Sequence, residues 1–242
     1  QNIQEVVPFS ELSSPLKSET SLNINIGLKY NPTDNLSFDL NLFNNKVNDL
    51  IEWKLVAKDE NNTNIYSFFN VNQVETKGLE FNTTYKKVDD WEIKFGYQLL
   101  YAYDTEVVKD IEKDDSDYYA LDTETLTSVK LNKEDYFGLF NRSRQMGNIK
   151  FNYHLNDKTE MNTMLTYRSK YAISDSNGNG ILDTYDKFID GYSLCDVGIT
   201  HQISLLKTCQ IGIKNIFGFT NPEYISNISG RLYYMSFKIN FK

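Results

Sequence analysis

The 242-residue chain carries 33 acidic against 25 basic side chains, and 14% of its residues are aromatic. The acidic balance excludes nucleic acid as a partner, because phosphates need a basic face, and the sequence has no run of about 18 apolar residues that could form a transmembrane helix. Two cysteines, outside any CxxC or Cys/His cluster, exclude a disulfide framework.

Apolar and polar residues alternate with a period of two along most of the chain, which is typical of β-strands with two different faces. Near the N-terminus, for example, Leu22, Ile24 and Ile26 alternate with Asn23 and Asn25. Nine segments share this pattern, at 19–30, 36–50, 72–85, 91–103, 142–154, 159–171, 191–204, 208–218 and 229–241. The sequence therefore predicts an all-β, antiparallel fold.

The length of these strands indicates a membrane barrel. They run for about 10–14 residues, whereas strands of soluble proteins usually have about five or six and a membrane barrel needs about 9–11. We interpret the chain as a transmembrane antiparallel β-barrel, apolar toward lipid and polar toward the lumen. A soluble β-sandwich with one wet sheet face is the alternative.

Charged side chains occupy several of the polar strand positions. The lumen-facing candidates are Glu80, Lys94, Arg168, Lys214 and Lys238, and Lys150 lies on the same polar face. They could line a ligand path, but pairing with one another in the wall is the favoured interpretation.

The connections between the strands alternate in length. Short connections lie at 31–35, 86–90, 155–158 and 205–207, and longer ones at 51–71, 104–141, 172–190 and 219–230. Outer-membrane barrels have short periplasmic turns and long extracellular loops. This parity predicts a location in the bacterial outer membrane, with the C-terminus in the periplasm and the four longer connections extracellular. Aromatic residues at the predicted periplasmic rim agree with it, namely Tyr30, Tyr85, Trp91, Tyr153 and Phe241.

Nine strands cannot close a barrel of this type. Bacterial barrels close with an even number of strands, and an open edge in lipid would leave backbone groups without hydrogen bonds. We therefore expect these strands to be the C-terminal part of a larger barrel, with the missing strands before Gln1 or on a separate chain.

Four short motifs, in order along the chain, resemble those of the TonB-dependent outer-membrane receptors. They are Leu16-Lys17-Ser18-Glu19-Thr20-Ser21, Val74-Glu75-Thr76-Lys77-Gly78-Leu79-Glu80, Asn215-Ile216-Phe217, and Gly230-Arg231-Leu232-Tyr233-Tyr234 leading to Ile239-Asn240-Phe241. Ser18 stands where the family usually has proline, and Lys242 follows the final aromatic residue.

The resemblance implies a 22-stranded barrel that an N-terminal plug domain closes. Such receptors import scarce nutrients with energy from the inner-membrane TonB complex, which contacts the plug. This chain would supply barrel wall and ligand-capturing loops, with no chemical step and hence no enzyme activity. The resemblance favours a metal chelate, haem or corrinoid as cargo, and oligosaccharide import or a passive porin or surface-interaction barrel are the alternatives.

The segment from Asp175 to Asp186 has the residue spacing of an EF-hand calcium loop. Oxygen-bearing side chains occupy ligand positions, Gly180 permits a sharp turn, and the following residue contributes its backbone carbonyl. The predicted Ca²⁺ ligands are Asp175, Asn177, Asn179, Ile181, Asp183 and Asp186. The last ligand is Asp, which is shorter than the usual Glu and predicts weaker binding. A Gly/Asn-rich turn that binds nothing is the alternative.

The segment from Asp104 to Glu124 is acidic, with nine Asp or Glu residues and two lysines. Such a run favours a solvated, mobile loop, although a cation, a surface lipoprotein or a basic ligand could bind there.

The sequence predicts no catalytic residue. His154 lies beside a short turn and His201 within a strand, and neither has an evident nucleophile or acid partner. Cys195 and Cys209 are expected to stay unbridged. If the hairpin turns near 205–207, Cys209 faces position 202, and Cys195 lies about 23 Å further along the strand.

Overall fold

The fold is seen in a computed structural model, which describes residues 4–5, 15–58, 63–71, 73–87, 90–113, 116–122 and 125–241. Within these ranges no helix has the length and apolar character needed to cross a membrane. The strands are β1 Gln4–Glu5, β2 Thr20–Thr33, β3 Leu36–Asn48, β4 Leu50–Lys58, β5 Asn64–Val71, β6 Val74–Lys87, β7 Trp91–Asp104, β8 Tyr119–Asp122, β9 Thr127–Lys130, β10 Tyr136–Gly138, β11 Gln145–Asn156, β12 Thr159–Arg168, β13 Leu182–Asp183, β14 Tyr192–Ser204, β15 Lys207–Lys214 and β16 Leu232–Ile239. One helix, α1, spans Thr105–Ile111.

Nine of these strands form one antiparallel sheet in the order β16-β15-β14-β12-β11-β7-β6-β3-β2. They coincide with the nine predicted strands, with ends displaced by a few residues, so the prediction of a nine-stranded antiparallel sheet is confirmed. Strands β2 and β16 form its two edges. All residues of β2 are exposed on both faces, as expected of an edge strand.

The register aligns alternate side chains into rows across the sheet. Leu42, Leu79 and Leu99 are successive Cα partners in β3, β6 and β7, and they share a face because directly opposite residues of paired strands point to the same side of the sheet. We call this the apolar face and its opposite the polar face. The apolar face is uncovered, since Leu22 is 59% and Phe237 is 54% exposed. An uncovered apolar face of this extent marks a surface that meets another apolar medium.

Aromatic rings gather near one end of the apolar face. The ring of Trp91 lies 5.1 Å from that of Tyr85 and 6.2 Å from that of Phe151, while Phe151 and Tyr153 stack at 6.3 Å. Three of the predicted rim aromatics therefore stand together beside the short turns. Rings at this depth combine an apolar body with a polar edge or hydroxyl, which suits a membrane interface.

The longer connections carry structure of their own. The hairpin of β4 and β5 fills most of 51–71, and β1 pairs with β4. The 104–141 connection holds α1, the β8–β9 hairpin and β10, and β10 pairs with β13 from the next long connection. A shared hydrophobic cluster, the loop core, consists of Ile111, Ala120, Leu131, Tyr136 and Ile181.

Helix α1 lies inside the acidic segment, where the sequence analysis predicted only a solvated run. The Asp104 carboxylate caps the helix by accepting hydrogen bonds from the N–H groups of Glu106 at 2.8 Å and Val107 at 3.4 Å. Ile111 anchors the other end in the loop core. The described part of this segment is therefore folded, with Thr105, Ile111, Ser116 and Ala120 buried and its carboxylates exposed or half-buried.

Both cysteines are free thiols, as predicted. The register prediction was wrong by one position, because Cys209 pairs with His201 and not with Gln202. The register shifts between Gln202 and Ser204, which leaves one additional residue in β14 beside the turn.

Candidate functional site

The polar face carries a network that crosses three strands. Glu80 in β6 accepts a hydrogen bond from Gln98 Nε2 of β7 at 3.0 Å and one from Asn41 Nδ2 of β3 at 3.5 Å. A groove of about 650 Å³ lies over this face, and Glu80, Lys150 and Arg168 are among its lining residues. The groove therefore lies beside the predicted lumen-facing residues Glu80 and Arg168.

The other candidate charges contact their immediate neighbours. Lys94 pairs with Glu92 at 3.0 Å, and Lys214 lies 5.9 Å from the ring centre of Tyr234. Lys238 is the Cα partner of Thr208. These charges are spread over the width of the sheet and do not converge on one point.

Arg168 stands at the end of β12 nearest the long connections. Its Nε donates to Ser143 Oγ at 2.7 Å, one Nη donates to the carbonyl of Asn141 at 3.1 Å, and the guanidinium lies 3.6 Å from the ring centre of Tyr171. Because these partners belong to two long connections, Arg168 fixes the loops to the wall.

The 175–186 loop is organised around the carboxylate of Asp175. It accepts hydrogen bonds from the backbone N–H groups of Asn177 at 3.1 Å, Gly178 at 2.6 Å and Gly180 at 2.7 Å. Both glycines have positive φ, +82° and +88°, which side chains with a Cβ rarely adopt. The loop therefore wraps tightly around its first predicted ligand.

Two further predicted ligands, Asp183 and Asp186, are 0% and 7% exposed. Asp183 Oδ2 accepts hydrogen bonds from the side-chain amides of Asn177 at 3.0 Å and Asn179 at 2.7 Å. Asp186 Oδ1 accepts from the backbone N–H of Ser176 at 2.6 Å. Buried carboxylates are costly unless hydrogen bonds or a cation compensate their charge.

Predicted ligand Ile181 has a structural role as well. Its N–H donates to Asn179 Oδ1 at 3.1 Å, and its side chain is part of the loop core. Within the described ranges, no group of three or more His, Cys, Asp and Glu side chains is arranged to hold a metal ion. The oxygen set of this loop is mixed, with three carboxylates, two amides and a backbone carbonyl. A hard cation accepts such a set when the amides turn their oxygens inward.

The loop is also the junction of the long connections. Asn179 Nδ2 donates to the carbonyl of Tyr119 in β8 at 3.0 Å, and the N–H of Thr184 donates to the carbonyl of Asp135 at 2.9 Å. Together with the β10–β13 pairing, these bonds tie 172–190 to 104–141.

Burial changes the acidity of two tyrosines near the loop core. Desolvation raises the pKa of Tyr136 to about 12, and its hydroxyl accepts the N–H of Asp104 at 3.1 Å. Desolvation likewise raises the pKa of Tyr118, which packs against the same cluster. Both hydroxyls therefore stay protonated at neutral pH.

Lys17 and Glu19 belong to the first of the four motifs. In the structure the N–H and carbonyl of Lys17 both bind the side-chain amide of Asn70, at 2.7 and 2.9 Å, and Glu19 accepts the N–H of Ile51 at 2.6 Å. This motif fastens the base of the β4–β5 hairpin. Asn70 carried no distinguishing pattern of its own in the sequence.

Asn215 and Arg231, from the two C-terminal motifs, close the connection between β15 and β16. Asn215 Nδ2 donates to the carbonyls of Phe219 at 2.7 Å and Ser229 at 2.9 Å. The Arg231 guanidinium binds the carbonyl of Ile216 through two nitrogens, at 3.0 and 2.7 Å. The motif residues thus shape this loop.

The histidines have structural partners. His201 Nδ1 lies 2.9 Å from Thr159 Oγ1 on the neighbouring strand, and the N–H of His154 donates to the carbonyl of Asp90 at 2.8 Å. These contacts stabilise strand pairing and a short turn.

Comparisons with solved structures show the same fold. The ferric enterobactin receptor of Pseudomonas aeruginosa matches with a TM-score of 0.63 and 20% identity, over 93% of this chain and 32% of the receptor. The ferric-catecholate import receptor Fiu of E. coli K12 matches with a TM-score of 0.59 and 13% identity, over 93% and 28%. The copper transporter OprC matches with a TM-score of 0.62 and 14% identity, over 93% and 32%. The chain thus spans less than a third of the length of these proteins.

A family model described as TonB dependent receptor-like, beta-barrel matches residues 3–216. No curated protein sequence matches the chain. Receptors of this family are transporters of the outer membrane and not enzymes. With the nine-stranded antiparallel sheet and the ordered motifs, the match leads to one conclusion: the chain belongs to the β-barrel of the TonB-dependent receptor family.

Proposed function

We propose that this chain forms barrel wall and loops of a receptor that imports a scarce nutrient across the bacterial outer membrane. The observation that carries the proposal is the two-faced sheet, whose apolar face is uncovered and whose polar face holds the Glu80 network. Lipid on one side and a plugged, wet lumen on the other account for both faces. The family supports energy transfer from TonB through a plug domain, and further strands must pair with β2 and β16 because lipid cannot satisfy open strand edges.

We place the short turns in the periplasm and the long connections outside the cell. The loop core and the β4–β5 hairpin lie on the long-connection side, where a ligand would first meet the receptor. The C-terminus then lies in the periplasm.

A metal chelate, haem or corrinoid is the cargo class that we favour. The structural neighbours named above are a ferric enterobactin receptor, a ferric-catecholate import receptor and a copper transporter. An oligosaccharide is the second choice, and a passive porin or surface-interaction barrel is the functional alternative.

Uptake in cells with and without TonB separates active import from passive flow. Cells would be grown on limiting iron, haem, corrinoid or oligosaccharide, with the gene for this receptor deleted or intact. We expect one nutrient to require both the receptor and TonB. Uptake that requires the receptor but continues without TonB would establish the passive barrel instead.

We also propose that Ca²⁺ binds the loop of residues 175–186. The two buried carboxylates and the tight turn around Asp175 support this, and a surface lipoprotein is a further partner that could dock on the loops so ordered. In limited proteolysis of the intact receptor, Ca²⁺ should protect this loop, and Asp175→Ala should abolish the protection. Equal cleavage of the parent protein in Ca²⁺ and in chelator would contradict the proposal.

A further inference from the structure

The apolar face changes character at one level of the sheet. The next row of this face toward the long connections consists of Asn44, Lys77 and Tyr101, which are again Cα partners. Tyr101 lies ten residues beyond Trp91 in β7. Ten residues span about 33 Å of strand, and a tilt of about 40° projects this to about 25 Å, the height of the apolar band in outer-membrane barrels. Lys77 therefore lies at the edge of the lipid-facing band that is nearest the long connections.

Aromatic rings hold two cations at this edge. Lys77 Nζ lies 5.1 Å from the ring centre of Tyr103, and the Arg144 guanidinium lies 5.7 Å from that of Tyr101 and 4.2 Å from that of Phe137. Such contacts orient a cation without neutralising it. Arg144 Nε is buried and has no hydrogen-bond acceptor among the described residues.

Lys77 and Arg144 line the same cavity of about 270 Å³, between the edge of the apolar face and the loops. Lys133, which also lines it, pairs with Glu112 at 2.6 Å. On the row above, Glu75 pairs with Lys46 at 3.7 Å. Glu112 and Glu75 thus each have a cation of their own, and Lys77 and Arg144 form no ion pair within the described ranges.

We propose that this cavity binds the phosphate of a phosphorylated lipid headgroup in the outer leaflet. Lys77 would pair with the phosphate as a point charge, and the buried Nε of Arg144 supplies a donor that lacks an acceptor. The position on the apolar face selects a lipid over a soluble anion, because the acyl chains would lie against the row of Leu42, Leu79 and Leu99. The cargo would instead pass along the polar face.

The test measures lipid retention by the intact receptor, purified in detergent, using native mass spectrometry. The probe is lipid A with its phosphates, compared with the same lipid after enzymatic removal of the phosphates. We expect the phosphorylated lipid to be retained and the dephosphorylated lipid to be retained about tenfold less. Equal retention of the two lipids would overturn the proposal without any variant.

Matched variants locate the site. The double variant Lys77→Gln with Arg144→Gln should lose retention about tenfold. The control Lys150→Gln removes the same type of charge from the polar face and should retain lipid. Heat-dependent gel mobility identifies folded molecules, so retention is counted per folded receptor. Equal loss in the control and the double variant, or displacement of the lipid by millimolar inorganic phosphate, would contradict a lipid site here.

Discussion

At the scale of single residues, the first motif holds the chain together through partners that are distant in the sequence. Glu19 and Lys17 acquire their roles only when the chain brings Ile51 and Asn70 to them, the latter 53 residues away from Lys17. No local pattern records such a partner. The predicted calcium loop differs from this motif, because all its predicted ligands lie within twelve residues of the sequence. Its compact turn could therefore be predicted.

Gly78, in the second motif, has a steric role. A Cβ built at this position would lie 1.9 Å from the carbonyl oxygen of Leu99, so the paired backbones must separate to admit it. We expect Gly78→Ala to lower the free energy of unfolding by about 1–3 kcal/mol. Urea unfolding in lipid vesicles measures this.

Gly27→Ala in β2 is the matched control, because its Cβ would lie 4.0 Å from the carbonyl oxygen of Leu40, an ordinary contact. A destabilisation by Gly27→Ala as large as that by Gly78→Ala would rule out the steric explanation.

Asn215 combines a positive φ of 50° with hydrogen bonds to the following loop. Asn215→Ala loses these hydrogen bonds and strains the backbone at this φ, at a total of about 2–3 kcal/mol, whereas Asn215→Gly adopts the conformation without strain and loses only the hydrogen bonds. Thermal unfolding should therefore rank the native receptor first, Asn215→Gly second and Asn215→Ala last. If the two variants unfold together, backbone strain makes no contribution.

At the scale of elements, the long strands were predictable because a period of two persists over ten residues or more. The loop elements were not, since α1 has seven residues and β10 has three, too few to establish a period. Their stability comes from the loop core, whose members Ile111 and Ile181 are 70 residues apart in the sequence. Tertiary burial, and not local propensity, decides such segments.

The loop core should show a pH dependence in alkali. Burial raises the pKa of Tyr136 from 10 to about 12, so the unfolded state loses this proton first as pH rises. The stabilisation is complete below pH 10 and disappears as pH rises toward 12, with a total of about 3 kcal/mol at most. Protease protection of the 104–141 connection should fall over this range.

The absorbance of tyrosinate should show a component that ionises late, and Tyr136→Phe should reduce it. An unchanged late component in this variant would assign it to another tyrosine, such as Tyr118.

At the scale of the whole molecule, the two faces of the sheet could be predicted from the sequence. Apolar and polar residues alternate along each strand, and strand pairing brings the apolar positions of neighbouring strands to the same face. The partners Thr83, Phe95 and Ile149 lie on the apolar face, and the partners Asn41, Glu80 and Gln98 lie on the polar face. The junction of the long connections at Asn179 depends on a hydrogen bond to Tyr119, 60 residues away, and no periodicity could foresee it.

The assignment of faces predicts opposite outcomes for the same substitution. Phe95→Arg places a charge near the middle of the lipid-facing band and should cost about 2–4 kcal/mol. Gln98→Arg lies on the polar face beside Glu80 and should be tolerated. Folded receptor in isolated outer membranes, counted by heat-dependent gel mobility, measures both. Tolerance of Phe95→Arg would contradict the membrane orientation.

The strand order has a consequence for how the wall is built. Within the part of the chain that the structure describes, each of the nine strands pairs in the sheet with the wall strands that directly precede and follow it in the chain. Growth can therefore proceed hairpin by hairpin from the β16 edge, each addition closing a small loop and offering a fresh edge to the next. Each pairing step then requires the previous one, so a hairpin that pairs wrongly would delay the addition of all strands that come after it.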